Sequence, residues 1–586
     1  MRQNLKPSEL NGLREEQLDF TANRPLSSKI NMHPISSIQL KLGTRHQDLL
    51  DIDNPAVTVF IGPNNSGKSM LLRELQAFLL MGHASPTLLL NNIKLNTPST
   101  EARLFMVARL LKLEGIPADI DDESSFSITR SSTQYGTSKS DLYMRSGEIS
   151  NAEFFSLFMR HEILMLDGAS RLGLVSQRAV QSYEQAQNNF ARLFIDDDMR
   201  SKLRTVLFGA FKQHLVIDAS STPGNLILRY CKMPLPSAQI ERSLTSDAIR
   251  YQASGERLET MSDGVKALTG ILVELYAGDP RVLIVDEPEA FLHPSLARLL
   301  GSEIARPAAE TVADKNVFIA THSANFLMGC VQAGSNVNIV RLTYNNGVAT
   351  GRILNANKVK TLFRNPLLRS VNAVEALFFD SVIVVEADSD RAFYDEINHR
   401  LVASHDPRGI SNCLFLRAQN KQTVADIVRP LRALGIPTAG ILDIDAYKEG
   451  GSVWSKLTTA IGVPASSHQG LSAMRSHVKK AFEAINKDPK RNGGIDILDP
   501  AERKGAEDLF DQLGLYGLFV VRRGELESWL PGMSTKSGKS DWVVDIFEKL
   551  GEDPSSASYV RPAEGDVWSF IGEIGSWFRN PQRRGM

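Results

Sequence analysis

"PAVTVFIGPNNSGKSMLLRELQAFLL" (residues 55–80) sets a β-branched run, a glycine loop and an amphipathic segment in direct succession. Val57 to Ile61 reads as a strand, and Met70, Leu71, Leu75 and Phe78 recur at helical spacing. Between them Gly62-Pro63-Asn64-Asn65-Ser66-Gly67-Lys68-Ser69 fits G-x-x-x-x-G-K-[ST], in the strand–loop–helix context that this motif requires. In such a loop the backbone N–H groups and the helix N-terminus cradle phosphates, Lys68 reaches the outer phosphates and Ser69 holds Mg²⁺.

The rest of the chain bounds what this loop can serve. With 586 residues, roughly three to four units are expected. Lys and Arg number 66 against 67 Asp and Glu, a net charge of −1, so any polyanion site must be local. Cys231, Cys330 and Cys413 stand singly, which excludes a CxxC zinc ribbon and argues against a disulfide framework. The polar start and the lack of an apolar run of about 18 residues predict a soluble cytoplasmic protein with no membrane contact.

Residues 100–215 carry helix-like stretches, "NAEFFSLFMRHEILML" and "SYEQAQNNFARLFIDDDMRSKLRTVLF", and a polar loop or hairpin, "DESSFSITRSSTQYGTSKSD". The acidic "IDDDM" (195–199) reads as a solvated helix cap rather than a ligand cluster. From residue 261, "MSDGVKALTGILVELY" turns helical after Ser262-Asp263-Gly264. The apolar strand Val282 to Val285 then ends in Asp286-Glu287, and "NVFIATHSANFL" ends a second apolar strand near His322. Beside a phosphate loop, Asp286 holds Mg²⁺, Glu287 orients the attacking water and His322 senses the γ-phosphate.

This order of motifs resembles the ATP-binding-cassette (ABC) ATPases of the recombination and chromosome-maintenance type. "MSDGVK" takes the place of LSGGQ, with Ser262 and Gly264 matching the signature serine and second glycine and Asp263 replacing the first glycine. The resemblance implies ATP sandwiched between one subunit's phosphate loop and the other's signature, hence a homodimer or higher oligomer.

A second acidic pattern follows. "SVIVVEADSDRAFYDEINHRL" reads as the strand Val382 to Val385, then Glu386 and an amphipathic helix. "CLFLRAQNKQTVADIVRPLRALGIPTAGILDIDAY" reads as strand, helix, strand, with Asp443-Ile444-Asp445 after the strand Ala439 to Leu442. Carboxylates at i and i+2 point to one side, and with Glu386 they make an oxygen-rich set suited to Mg²⁺ or Mn²⁺. The competing reading is a set of exposed loop acids without metal. A glutamate after one strand and D-x-D after a later one resemble the Toprim domain, with Asp390 kept and Ala387 replacing the usual glycine. "GLFVVRRGELESWL" (517–530) is similar to the closing segment of the nuclease members, which makes Glu525 and Glu527 candidate second-metal ligands. Arg522 or Arg523 stands where that resemblance implies a lysine.

A cassette ATPase followed by Toprim is the architecture of the overcoming-lysogenization-defect (OLD) nuclease family; the Gabija nuclease component and the PARIS ATPase and Toprim effectors are similar. The fold implied is α/β: an ABC-type P-loop ATPase head with a helical dimerisation insert, then a Rossmann-like Toprim domain. The expected boundaries are an N-terminal extension (1–30), an ATPase N-lobe (31–150), the helical insert (151–215), an ATPase C-lobe (216–370), the Toprim domain (371–545) and a C-terminal extension (546–586). The implied activity is ATP hydrolysis with metal-dependent cleavage of nucleic acid, DNA before RNA, in bacterial anti-phage defence, where a partner protein or RNA of the defence system is a further expected contact. The alternative is an ATP-switched DNA-binding clamp or sensor with an inactive Toprim domain. Lys421, Arg429 and Arg432 are basic groups that would guide a nucleic-acid backbone or simply face solvent. The tail "WFRNPQRRGM", with Trp577 and Phe578 beside arginines, is a nucleic-acid signal or a frayed terminus.

Overall fold

The computed structural model describes residues 33–586 except 43–47, 84–86, 118, 131–132, 181–187, 235, 244, 307–314, 334–336, 346, 486, 535 and 537. The expected extension 1–30 lies outside the described residues. The chain forms two compact units, one made mainly of Gly67–Val340 with the strands before it, the other mainly of Leu354–Met586.

A six-stranded sheet runs in the order Val348–Leu354, Val337–Asn345, Val57–Ile61, Asn316–Ala320, Val282–Asp286, Ile163–Leu166. Its last four strands are mutually parallel. Val57–Ile61 and Asn316–Ala320 are buried at every position, as strands covered on both faces must be, and this explains their unbroken apolar reading. Register does the functional work here. Phe60 pairs with Ala320 and Ala320 with Asp286, so the phosphate loop, His322 and Glu287 all follow strand ends at one level. A separate antiparallel sheet joins Ile35–Leu42 to Asp48–Asp53 and Leu90–Leu95.

The segment 151–215, read as helical, is only partly so. Its helices Asn189–Ile195 and Asp197–Phe211 are present, but Ile163–Leu166 pairs with Val282–Asp286 as an edge strand of the main sheet. The four-residue run "ILML" is too short to separate strand from buried helix by periodicity. Asp196 caps the second helix by accepting from the Met199 N–H at 2.8 Å, as read for "IDDDM". "DESSFSITRSSTQYGTSKSD" folds as a hairpin of Phe126–Arg130 and Thr133–Thr137.

The second unit is built on four parallel strands in the order Cys413–Arg417, Ser381–Val385, Thr438–Asp443, Leu518–Val521. The helix Asp388–Ala403 follows the second of these in the chain and Val424–Ala433 precedes the third. The C-terminal helix Asp566–Arg579 belongs to the same core: Trp568, Phe570 and Trp577 are buried with Ile383, Phe393 and Phe519. The tail is therefore no frayed terminus, and Trp577, whose indole N–H donates to Leu515 O at 3.0 Å, is no exposed stacking platform. Arg432 is likewise a core residue. Its guanidinium donates to the carbonyls of Thr438, Ile461, Tyr516 and Gly585, whereas Arg429 is exposed.

Candidate active sites

At the first site the phosphate loop is shaped by glycine. Gly62 has φ +138°, and a Cβ there would lie 2.0 Å from Leu342 O; Gly67, at φ +89°, caps the helix Lys68–Met81. Asn64 and Asn65 are exposed and Ser66 is buried. Ser69 Oγ donates to Asp286 Oδ1 at 3.0 Å, which sets a hydroxyl and a carboxylate side by side as hard-cation ligands. Burial pushes the Lys68 ammonium down to about 8 against the pull of Glu287, Asp286 and Glu289. His322 Nε2 stands 3.8 Å from Glu287 Oε1, and burial with the nearby Lys68 charge lowers its pKa. The structure thus gathers Lys68, Ser69, Asp286, Glu287 and His322.

Ser262 and Gly264 begin the helix Asp263–Ala277, with Ser262 exposed as its N-cap. Asp263 pairs with Lys266 at 2.7 Å. A Cβ on Gly264 would lie 2.6 Å from Phe291 O, so this position needs glycine for close backbone approach.

The second site sits at the carboxyl ends of two adjacent strands, where open α/β sheets place their ligands. Glu386 follows Ser381–Val385, and Asp443 ends Thr438–Asp443. Glu386, Asp443 and Asp445 each offer a carboxylate oxygen within 4.8 Å of the others. Glu386 Oε1 accepts the Asp443 N–H at 2.9 Å. Burial, then the Asp443 charge, raise the Glu386 carboxyl to about 7. Asp390 caps its own helix through Ala387 N at 3.0 Å, and burial raises its pKa. Asp445 Oδ1 and Glu527 Oε2 are buried and lack a hydrogen-bond partner. A buried acceptor without a donor is costly unless a cation faces it, so this donor set fits a hard divalent metal. Glu527 is outside the tight triad, although burial and the charges of Glu525 and Asp443 raise its pKa.

Lysines complete the cluster, and sequence reasoning did not find two of them. Lys490 Nζ lies 2.9 Å from Asp443 Oδ2, 3.5 Å from Asp445 Oδ2 and 3.6 Å from Glu525 Oε2. Lys539 Nζ lies 3.1 Å from Asp390 Oδ1 and 3.0 Å from Asp443 Oδ2. Asp443 and the other carboxylates raise both lysines' pKa against the cost of burial. Lys421 bridges Asp445 at 2.9 Å and Glu449 at 3.2 Å. Arg522 pairs with Asp511 and Arg523 is exposed, so the basic groups of the cluster come from other segments than expected. Lys490 arrives on a loop locked by glycine: a Cβ on Gly524 would meet Lys490 O at 2.2 Å, and one on Gly494 would meet Arg522 O at 1.9 Å. The pointer to Lys490 was its place in "KDPKRNGG", a turn-rich stretch; Lys539 opens the helix Lys539–Leu550.

Two family models match parts of the sequence. One, described as "AAA domain, putative AbiEii toxin, Type IV TA system", covers residues 195–328, and one described as "Overcoming lysogenization defect protein-like, TOPRIM domain" covers residues 377–445. The chain carries an ATPase domain followed by an OLD-like Toprim domain. Solved structures similar to this chain include the SMC head bound to the C-winged helix domain of ScpA (13% identity, TM-score 0.34, covering 56% of this chain and 99% of that one). The SMC head domain from Thermotoga maritima is another (12% identity, TM-score 0.25, covering 55% and 99%). No curated protein matches the chain. Among its described residues no helix is long and apolar enough to cross a membrane.

Proposed function

We propose that this protein hydrolyses ATP at its first site and cleaves nucleic-acid phosphodiesters at its second with divalent metal, as a nuclease of bacterial anti-phage defence. The observation that carries the nuclease reading is the triad Glu386, Asp443 and Asp445, with the Asp445 Oδ1 acceptor buried and unpartnered. Mg²⁺ or Mn²⁺ held there, with Asp390 and Glu527 beside it, supplies Lewis acidity and an activated water. The protein's own groups do the rest. The Asp443 N–H fixes the Glu386 carboxylate, and Lys539 and Lys490 balance negative charge that builds on the phosphate. At the ATP site, Lys68 binds the outer phosphates, Ser69 and Asp286 hold Mg²⁺, Glu287 orients water and His322 faces the γ-phosphate. The dimer places Ser262 and Gly264 against the partner's nucleotide, with residues 151–215 contributing to dimerisation and DNA favoured over RNA as substrate.

A second reading has one observation in its favour. Lys421, Lys490 and Lys539 already pair with Asp445, Asp443 and Asp390, as in a charge-balanced site that binds DNA under ATP control without cutting it. Incubating plasmid or oligonucleotide substrates with the purified protein and Mn²⁺ separates the two. Cleavage that disappears in Glu386→Ala supports the nuclease; binding without cleavage supports the clamp.

A further inference from the structure

Glu287 is a non-glycine residue at φ +50°, a left-handed conformation that persists only where the surroundings impose it. Its carboxylate is 53% exposed and stands 3.8 Å from His322 Nε2, too far for a hydrogen bond, so its aim is set by the backbone turn that carries it. The groups gripping that turn can be named. The Glu287 N–H donates to Ala320 O at 2.8 Å, which ties one side of the turn to the neighbouring strand. The other side is held by the Ala290 N–H, which donates to Glu287 O at 2.9 Å, and by Arg171, whose Nη1 donates to the same oxygen at 2.6 Å and Nη2 to Asp286 O at 2.5 Å.

Arg171 is fully buried, at 0% exposure. Burying a guanidinium is expensive unless its donors are used. Here both ends of the fork go to consecutive carbonyls, those of the Asp286-Glu287 pair, and Nε goes to Asp167 O at 2.8 Å. The turn that carries it, Ser170–Val175, is itself pinned: Asp167 Oδ1 accepts from Ala169 N, Ser170 N and Ser170 Oγ at 3.1, 2.8 and 2.8 Å. From the opposite side, the helix Asp263–Ala277 packs on it through Gly270, where a Cβ would lie 2.8 Å from Leu174 Cβ and 3.3 Å from Arg171 O.

We propose that Arg171 is the positioning residue of the ATPase site: it holds the left-handed Asp286-Glu287 turn so that the Glu287 carboxylate meets the attacking water, and its turn links the helix bearing Ser262 and Gly264 to that carboxylate. This rests on the reading of Glu287 as the water-orienting group. Arg171 touches no nucleotide-binding side chain through its own donors, so its loss displaces the water-orienting carboxylate and leaves phosphate binding to Lys68 and the loop.

The test uses the full chain with Arg171→Met, Arg171→Lys, Glu287→Gln and the double variant Arg171→Met/Glu287→Gln, measuring ATP affinity at equilibrium and steady-state hydrolysis. Arg171→Met should lower kcat by about tenfold or more with ATP affinity kept within about threefold, Arg171→Lys should fall between it and wild type, and the double variant should be no slower than Glu287→Gln alone. Should Arg171→Met fail to fold, Arg171→Lys against Glu287→Gln carries the same comparison. An unchanged kcat, a loss of ATP binding equal to the loss of kcat in folded Arg171→Lys, or fully additive losses in the double variant each overturn the proposal. Wild-type turnover by Glu287→Gln would instead sink the reading of Glu287, and with it the inference.

Discussion

The Asp443 backbone N–H donates to Glu386 Oε1 across 2.9 Å, tying the carboxylate after one strand to the first residue of the acidic pair after its neighbour. Strand pairing Val382 with Thr438 and Val384 with Gly440 makes this bond possible, because it brings the two strand ends to the same edge.

That arrangement makes metal binding sensitive to pH. With the Glu386 carboxyl raised to about 7 by burial and Asp443, its proton competes with a cation below that value. Mn²⁺ affinity should therefore rise with pH, by up to about tenfold per unit below pH 7, and level off above it. Calorimetric titration at pH 6, 7 and 8 checks this, and Glu386→Gln should flatten the profile while weakening binding.

Lys490 and Lys539 share Asp443 Oδ2, at 2.9 and 3.0 Å. Replacing either with Ala removes a positive charge facing the proposed metal ligands. Mn²⁺ affinity should then increase by at least about fivefold, the order expected for unit charges a few ångströms apart even in water-like surroundings, while cleavage slows. Weaker binding in both variants would mean that the lysines' main part is to hold the carboxylates in place.

The strands, the phosphate loop, Asp286-Glu287, Glu386 and the Asp443–Asp445 pair were legible because each lies in a short apolar run that ends in polar residues, a local pattern. Lys490 and Lys539 were not, since they reach Asp443 from 47 and 96 residues away in the chain, a separation that no local pattern reports. Arg432 misled for the opposite reason. On a helix of a βαβ unit it looks like surface, yet the chain's last residues fold over it, and only tertiary structure shows Gly585 O accepting from its guanidinium.

Arg432→Ala should consequently act on stability and leave nucleic-acid affinity alone. It strands several buried carbonyls, at a cost of about 3 kcal/mol or more, and burial already presses its pKa down to about 9. Urea unfolding of the full chain should show the loss in the transition that reports the Toprim core. An unchanged midpoint together with a reduced salt dependence of DNA binding would place Arg432 at a nucleic-acid surface instead.

The ATPase and Toprim sites should also respond to one another. Glu287→Gln keeps the shape of the residue proposed to orient water and should bind ATP but hydrolyse it slowly, holding dimerised heads closed. Lys68→Ala should weaken phosphate binding and leave them apart. If head closure gates cleavage, the two variants shift nuclease activity in opposite directions when ATP is present; equal cleavage by both, with and without ATP, would show that no such gate exists.

Whether Glu386, Asp443 and Asp445 form a metal-dependent nuclease centre is decided by Mn²⁺-dependent cleavage of DNA and RNA by the purified wild-type protein and Glu386→Ala side by side, with ATP hydrolysis measured on the same samples. Wild type should cleave in a reaction that EDTA abolishes, Glu386→Ala should not cleave, and ATP hydrolysis should stay largely intact in both. Cleavage by Glu386→Ala at the wild-type rate, or none by wild type on any substrate with either Mg²⁺ or Mn²⁺, would contradict the nuclease assignment.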